Sequence, residues 1–204
     1  MLFEGWFKGS SKIASLDKDG NVGVSVAHSP HAAAVMAGRV YSGATAAGGV
    51  APGTALGTTG AYTLANPLGS GVYGVILQGS MGYLSGTLGA GFVSWNATVD
   101  PQLALPTGTA ITELNMLVGG KRGSGELVAL TTATITAPVI IRPAWNLDAS
   151  LGTTAGIGVH PLVDYVNGAI VVAPGASITL HGTAAAGLTP LVVFGTIWEE
   201  VEVG

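Results

Sequence analysis

Charge is what this sequence has least of. Only 9% of its 204 residues are Asp, Glu, Lys or Arg, against about 25% in an ordinary soluble domain. Cysteine is absent altogether, which excludes disulfides, thiolate zinc sites and thiol nucleophiles together. Long apolar runs are lacking too. Val40 to Val99 and Tyr165 to Trp198 contain no charged side chain, yet Gly, Pro, Ser, Thr or Asn interrupts each span every few residues, as in Val50-Ala51-Pro52-Gly53-Thr54. No window supplies the roughly twenty apolar residues of a membrane-spanning helix. Short runs with 6% aromatics do not make the girdled strands of a membrane barrel either. The opening, Met1-Leu2-Phe3-Glu4-Gly5-Trp6, lacks the basic start and continuous apolar stretch of a secretory signal. No membrane partner is expected.

What remains is 48% hydrophobic with 33 glycines and a net charge of −4. That is too apolar for a disordered chain and too acidic for a nucleic-acid binder. The few charges are unevenly placed. Residues 1–39 hold four of the seven basic groups (Lys8, Lys12, Lys18, Arg39) and three of the eleven acids, so this segment is +1 and the remainder −5. The same segment carries Phe3, Trp6 and Phe7, and a bland Ala/Gly/Thr/Pro stretch follows from Ser42 to Gly60. These shifts divide the chain into an N-terminal arm and linker, 1–55, and a compact domain, 56–204.

In the arm, Asp19-Gly20-Asn21 precedes an alternating Val22–Val26, which suits a turn and short strand. Ser29-Pro30 opens a short helix over His31 to Met36, ended by Gly38. The domain reads as strands: Val72–Gln78, Ala90–Val99, Leu127–Ala137, Val139–Trp145, Ser177–His181 and Leu191–Val203. Leu162–Val166 and Ala169–Ala173 flank Asn167-Gly168, the strongest short hairpin signal. Ala173-Pro174-Gly175-Ala176 fits a type II turn. Ala110–Val118 suits a strand or a short helix. Seven to nine short strands with turns between them predict an all-β antiparallel β-sandwich, with a jelly roll as the favoured topology.

The last strand bears most directly on partners. Its odd face is Leu191, Val193, Ile197, Val201 and Val203; its even face is Val192, Phe194, Thr196 and Trp198, turning acidic at Glu200 and Glu202. A half-solvated strand would alternate apolar with polar. Both faces here need a cover, one from the domain core and one from a neighbouring subunit. Val192, Phe194 and Trp198 are the candidate subunit-interface residues. The alternative is a central strand enclosed on both sides within one chain.

Chemical motifs are weak. Gly69-Ser70-Gly71-Val72-Tyr73-Gly74 spells the dinucleotide fingerprint but sits between a proline-containing loop and a strand, without the required helix. Gly119-Gly120-Lys121-Arg122 lacks the first glycine and the Ser/Thr of a phosphate loop. Asp17-Lys18-Asp19 lacks the remaining ligands of a calcium loop. His28 and His31 have metal-compatible spacing but no third ligand nearby. Glu199, Glu200 and Glu202 could serve acid–base chemistry, though a solvated strand end explains them more simply. The expectation is no enzyme, no cofactor and no metal.

The C-terminal run Gly168-Ala-Ile-Val-Val-Ala-Pro-Gly-Ala-Ser-Ile-Thr-Leu-His-Gly182, followed by Pro190-Leu-Val-Val-Phe-Gly-Thr-Ile-Trp-Glu-Glu-Val201, resembles the end of small virion structural proteins of tailed bacteriophages. Gly5-Trp6-Phe7-Lys8-Gly9-Ser10 and Ala14-Ser15-Leu16-Asp17-Lys18-Asp19-Gly20-Asn21 resemble their opening. The resemblance implies a non-enzymatic jelly-roll protein that trimerises on the outer surface of the virion as a capsid decoration (cement) protein. On that basis the arm, through Phe3, Trp6, Phe7, Lys8 and Lys12, would dock on the major capsid protein. A phage fibre, spike or other receptor-binding module with a lectin-like sandwich is the alternative.

Overall fold

The computed structural model describes residues 3–7, 10–14, 31–53, 55–87, 90–98, 102, 104–119, 125–147, 162–184 and 189–203. The chain forms two compact units, Met1–Ala33 and Ala34–Gly204. In the first, strands β1 (Phe3–Phe7) and β2 (Ser10–Ala14) make an antiparallel hairpin with Phe3 opposite Ala14 and Phe7 opposite Ser10. Val22–Val26 and the Asp17–Asp19 turn lie outside the described residues.

The second unit is an all-β sandwich, as the strand count predicted. Its strands are β3 (Val40–Ala44), β4 (Thr59–Ala65), β5 (Val72–Ser85), β6 (Gly91–Thr98), β7 (Thr107–Ala110), β8 (Glu113–Asn115), β9 (Val128–Thr134), β10 (Pro138–Leu147), β11 (Leu162–Val172), β12 (Ser177–Ala184) and β13 (Leu191–Glu202). A six-stranded antiparallel sheet has the order β10-β6-β12-β4-β9-β7, and a five-stranded one β11-β5-β13-β3-β8. The pairings are nested: β3 with β13, β4 with β12, β5 with β11 and β6 with β10. Two further pairings, β5 with β13 and β6 with β12, roll this long hairpin into two layers.

The boundary expected at residue 55 therefore moves to 33/34. Residues 40–44 fall within the expected arm and linker, whose bland stretch begins at Ser42, but β3 is an interior strand of the five-stranded sheet. Smallness at Gly43 is what fits it there. A side chain at Gly43 would meet Ala129 Cβ at 3.1 Å and the Tyr62 hydroxyl at 3.2 Å. The short helix α1 (Ala32–Met36) forms where the sequence placed it. Gly38, at φ 74°, follows it and donates its N–H to Val35 O.

Between the sheets lie Trp95, Trp198, Tyr62, Phe194, Leu64, Ile76, Ile178 and Leu180, all fully buried or nearly so. Strand alternation puts them there: Ile178 and Leu180 face inward while Ser177, Thr179 and His181 face the other side of β12. Polar side chains clasp the two layers together. Tyr62 and Thr196 share a buried hydroxyl–hydroxyl bond of 2.6 Å. Trp95 Nε1 donates to Asp164 Oδ2 at 2.8 Å, and Arg142 pairs with Asp164 Oδ1 at 2.8 Å.

Two local expectations had different outcomes. Ala173–Ala176 is the expected turn, with Gly175 at φ 82° and Ala176 N–H donating to Ala173 O. Asn167 and Gly168 adopt the expected positive φ, 50° and 83°, yet no hairpin forms. Both flanking runs pair with β5, and the register jumps from Tyr165↔Gln78 to Ile170↔Ile76. The Asn-Gly pair makes a pinched bulge within one strand, which tucks Val166 into the core.

Candidate assembly surfaces

In β13 the even-face side chains Val192, Phe194 and Trp198 are each 0% exposed and belong to the core of their own chain. The subunit-interface assignment of these three residues is thereby corrected. The even face is the inner one, and the cover it needs comes from the six-stranded sheet. It is the odd face that points away from the sandwich.

That outer face of the five-stranded sheet is only partly covered. Ala34 and Val35 of α1 pack there with Val40, Leu77, Val75, Met116 and Ile197. Arg39 pairs with Glu199 at 3.1 Å on the same face. Beyond them lies an apolar area. By register, Val171 stands opposite Val75 and Tyr73 opposite Val201. Tyr165 is 66% exposed and Val171 54%, with Tyr73 and Val201 also exposed.

The residues proposed to dock on a capsid occupy the N-terminal hairpin. Phe3, Trp6 and Phe7 are in β1, and Lys12 is in β2 opposite Gly5. Lys8 lies outside the described residues.

The C-terminal acids separate. Glu199 meets Arg39, whereas Glu200 is buried and accepts N–H bonds from Glu126 (3.0 Å), Leu127 (3.1 Å) and Trp198 Nε1 (3.3 Å). The solvated-end reading fails for Glu200, because its position on the even face carries it into the layer between the sheets. Glu113, which sequence reasoning did not single out, accepts the Ala129 N–H at 2.8 Å. Burial pushes its carboxyl above the ordinary glutamate value; the charge of Glu200 adds to that, and backbone donors at Ala129 and Gly125 oppose it. Both glutamates thus tie backbone of the six-stranded sheet to the five-stranded one. Among the described residues no three His, Cys, Asp or Glu side chains are grouped as a metal site requires, and no helix is long and apolar enough to cross a membrane.

Two recesses open on the outer face of the six-stranded sheet. One, of about 270 Å³, is lined by uncharged residues including Thr98, Thr107, Thr134, Thr136 and Leu105. The other, of about 220 Å³, lies between Leu56–Thr58, Asn96, Pro138 and Ile140.

With known proteins the chain shares no match: none to a family model, none to a curated protein and none to a solved structure.

Proposed function

We propose that this protein is a non-enzymatic, trimeric capsid decoration protein of a tailed bacteriophage, with a jelly-roll sandwich and an N-terminal docking unit. The nested strand pairing supports the jelly roll, since it is the wiring of a hairpin wound into two Greek-key layers. The observation that carries the functional reading is the division at 33/34. The aromatic and basic N-terminal segment is a compact unit of its own, and its side-chain chemistry suits it to gripping a protein partner. Aromatic side chains dominate interface energetics, and many weak arms on a repeated lattice gain by multivalency. A protein that binds only the assembled shell stabilises that shell by mass action.

The test compares the full chain with a variant lacking residues 1–33 for binding to cognate heads assembled without the protein. Full-length protein should co-sediment with the heads; the truncated variant should remain folded by circular dichroism and stay in the supernatant. Equal binding by both would overturn the docking assignment. A second reading, a receptor-binding module, draws on the hydroxyl-lined, uncharged recess around Thr98 and Thr134, which suits a neutral sugar. Cryo-electron microscopy of the native particle separates the two. Hundreds of copies on the head support decoration, and a few to a few dozen on the tail support receptor binding.

A further inference from the structure

The segment joining β3 to β4 crosses from one sheet to the other. Val50 exchanges backbone bonds with Val192 (2.8 and 2.9 Å), Gly53 O accepts from Ala184 N–H, and Thr58 O accepts from Ile135 N–H, both at 2.8 Å. In its middle the side-chain tie found among the described residues is to His181. The His181 ring lies on the outer face of β12, is 2% exposed, and has Nε2 3.3 Å from Ala55 O. Facing a carbonyl, Nε2 must carry the ring proton and donate. The backbone closes tightly around the ring, since a side chain at Gly53 would meet Nε2 at 3.3 Å. Nδ1 is buried without a hydrogen-bond partner among the described residues, as are Thr179 Oγ1 on β12 itself and Thr63 Oγ1 on the neighbouring β4.

We propose that His181 makes this segment an acid-released strap: a proton added at Nδ1 frees residues 53 and 55–58 from the face of the six-stranded sheet. The reason is the surroundings. Val40 to Val99, which includes the strap, β4 and β6, contains no Asp, Glu, Lys or Arg, and β12 contains none either. The side chains of β6 and β4 on this face, Ser94, Asn96 and Thr63, are uncharged. Arg142 of β10, one strand beyond β6, is committed to Asp164. An imidazolium here would be a buried cation with no counter-charge among the described residues, which is costly unless it reaches water. Burial holds the imidazole below its ordinary value, against the smaller opposing effect of the Ala55 carbonyl. The sign follows from linkage. The released form takes up its proton near pH 6.5, whereas the closed form does so only at lower pH, so closure is fully favoured above about 6.5 and loses ground as pH falls below it.

The experiment is hydrogen–deuterium exchange of the full chain at pH 7.5 and 5.0, corrected for intrinsic exchange, on the wild type and on His181→Gln. The wild type should lose strap protection at pH 5.0, read at the Ala184 and Ile135 amides that donate to Gly53 O and Thr58 O, while β13 peptides stay protected. His181→Gln should show no pH-dependent difference in the strap. Equal strap protection of the wild type at both pH values, or the same loss in His181→Gln, would overturn the proposal. Should the variant not fold, an NMR titration of the wild-type imidazole decides: a midpoint below 6.5 with coincident shifts in strap amides supports the strap, and a midpoint at or above 6.5 sinks it.

Discussion

Glu113 and Glu200 lie on the same sheet with β3 between their strands, and each reaches across to backbone of the other layer. They are not equivalent. Glu200 has three donors, whereas Glu113 is held above the ordinary glutamate range by burial and by its neighbour's charge. Its folded form therefore keeps a proton that the unfolded chain has released, and stability falls as pH rises through that window. Glu113→Gln retains an oxygen acceptor for the Ala129 N–H and removes the charge. In urea titrations it should raise the unfolding midpoint at pH 7 and leave it nearly unchanged at pH 4, where the wild-type carboxyl is largely protonated. An equal or lower midpoint at pH 7 would contradict this account. The inward aim of Glu200 was legible in the alternation it shares with Trp198. Two of the three donors that satisfy it were not, because the Glu126 and Leu127 N–H groups lie more than seventy residues away in sequence.

Among the elements, β5 shows how packing decides what a residue type means. Gly79 lies against the Trp95 ring, where a methyl group would overlap Cζ2 and sit 2.9 Å from Cη2; Gly82, three residues on, has nothing within 4 Å. The Trp95 ring cannot retreat, being fully buried and tied to Asp164. Gly79→Ala should therefore lose roughly 1–3 kcal/mol, the usual cost of overpacking. Gly82→Ala should change stability by about 0.5 kcal/mol or less, as surface substitutions do. Chemical denaturation of the two variants side by side checks the contrast. The strands that were legible, such as β10, β12 and β13, are rich in β-branched and aromatic residues or alternate cleanly. β3 was not, because tertiary approach to Gly43 overrides a weak local preference. The Asn-Gly signal gave the right dihedral angles and the wrong topology, since dihedral angles are local and strand partners are not.

For the whole molecule, the sheet edges restrict how copies can meet. β7 and β8 are only four and three residues long. β10 carries Pro138 and Pro143 with two register shifts, and β11 carries the Asn-Gly bulge. Short, bulged or proline-bearing edges resist strand addition, which directs association of the sandwich to its faces. The trimer belongs to the proposed function, and the outer apolar face around Tyr165 and Val171 is where it should close. Native mass spectrometry should give three chains for the wild type and one for Tyr165→Glu/Val171→Glu, with unchanged far-ultraviolet dichroism. A single-chain wild type would refute the trimer, and a trimeric double variant would refute this face.

The nested pairing also sets a timetable. The partner of β3 is the last strand to be synthesised, and β13 is interior to its sheet, flanked by β5 as well. During translation the five-stranded sheet lacks its middle until Leu191–Glu202 emerge, leaving the apolar inner sides of β4, β5 and β6 waiting for Phe194 and Trp198. Contacts this distant in sequence close slowly, on the millisecond-to-second scale of all-β domains. A ribosome stalled anywhere before residue 191 carries an open half-sandwich, so the finished surfaces come into existence only once residues 191–202 have emerged.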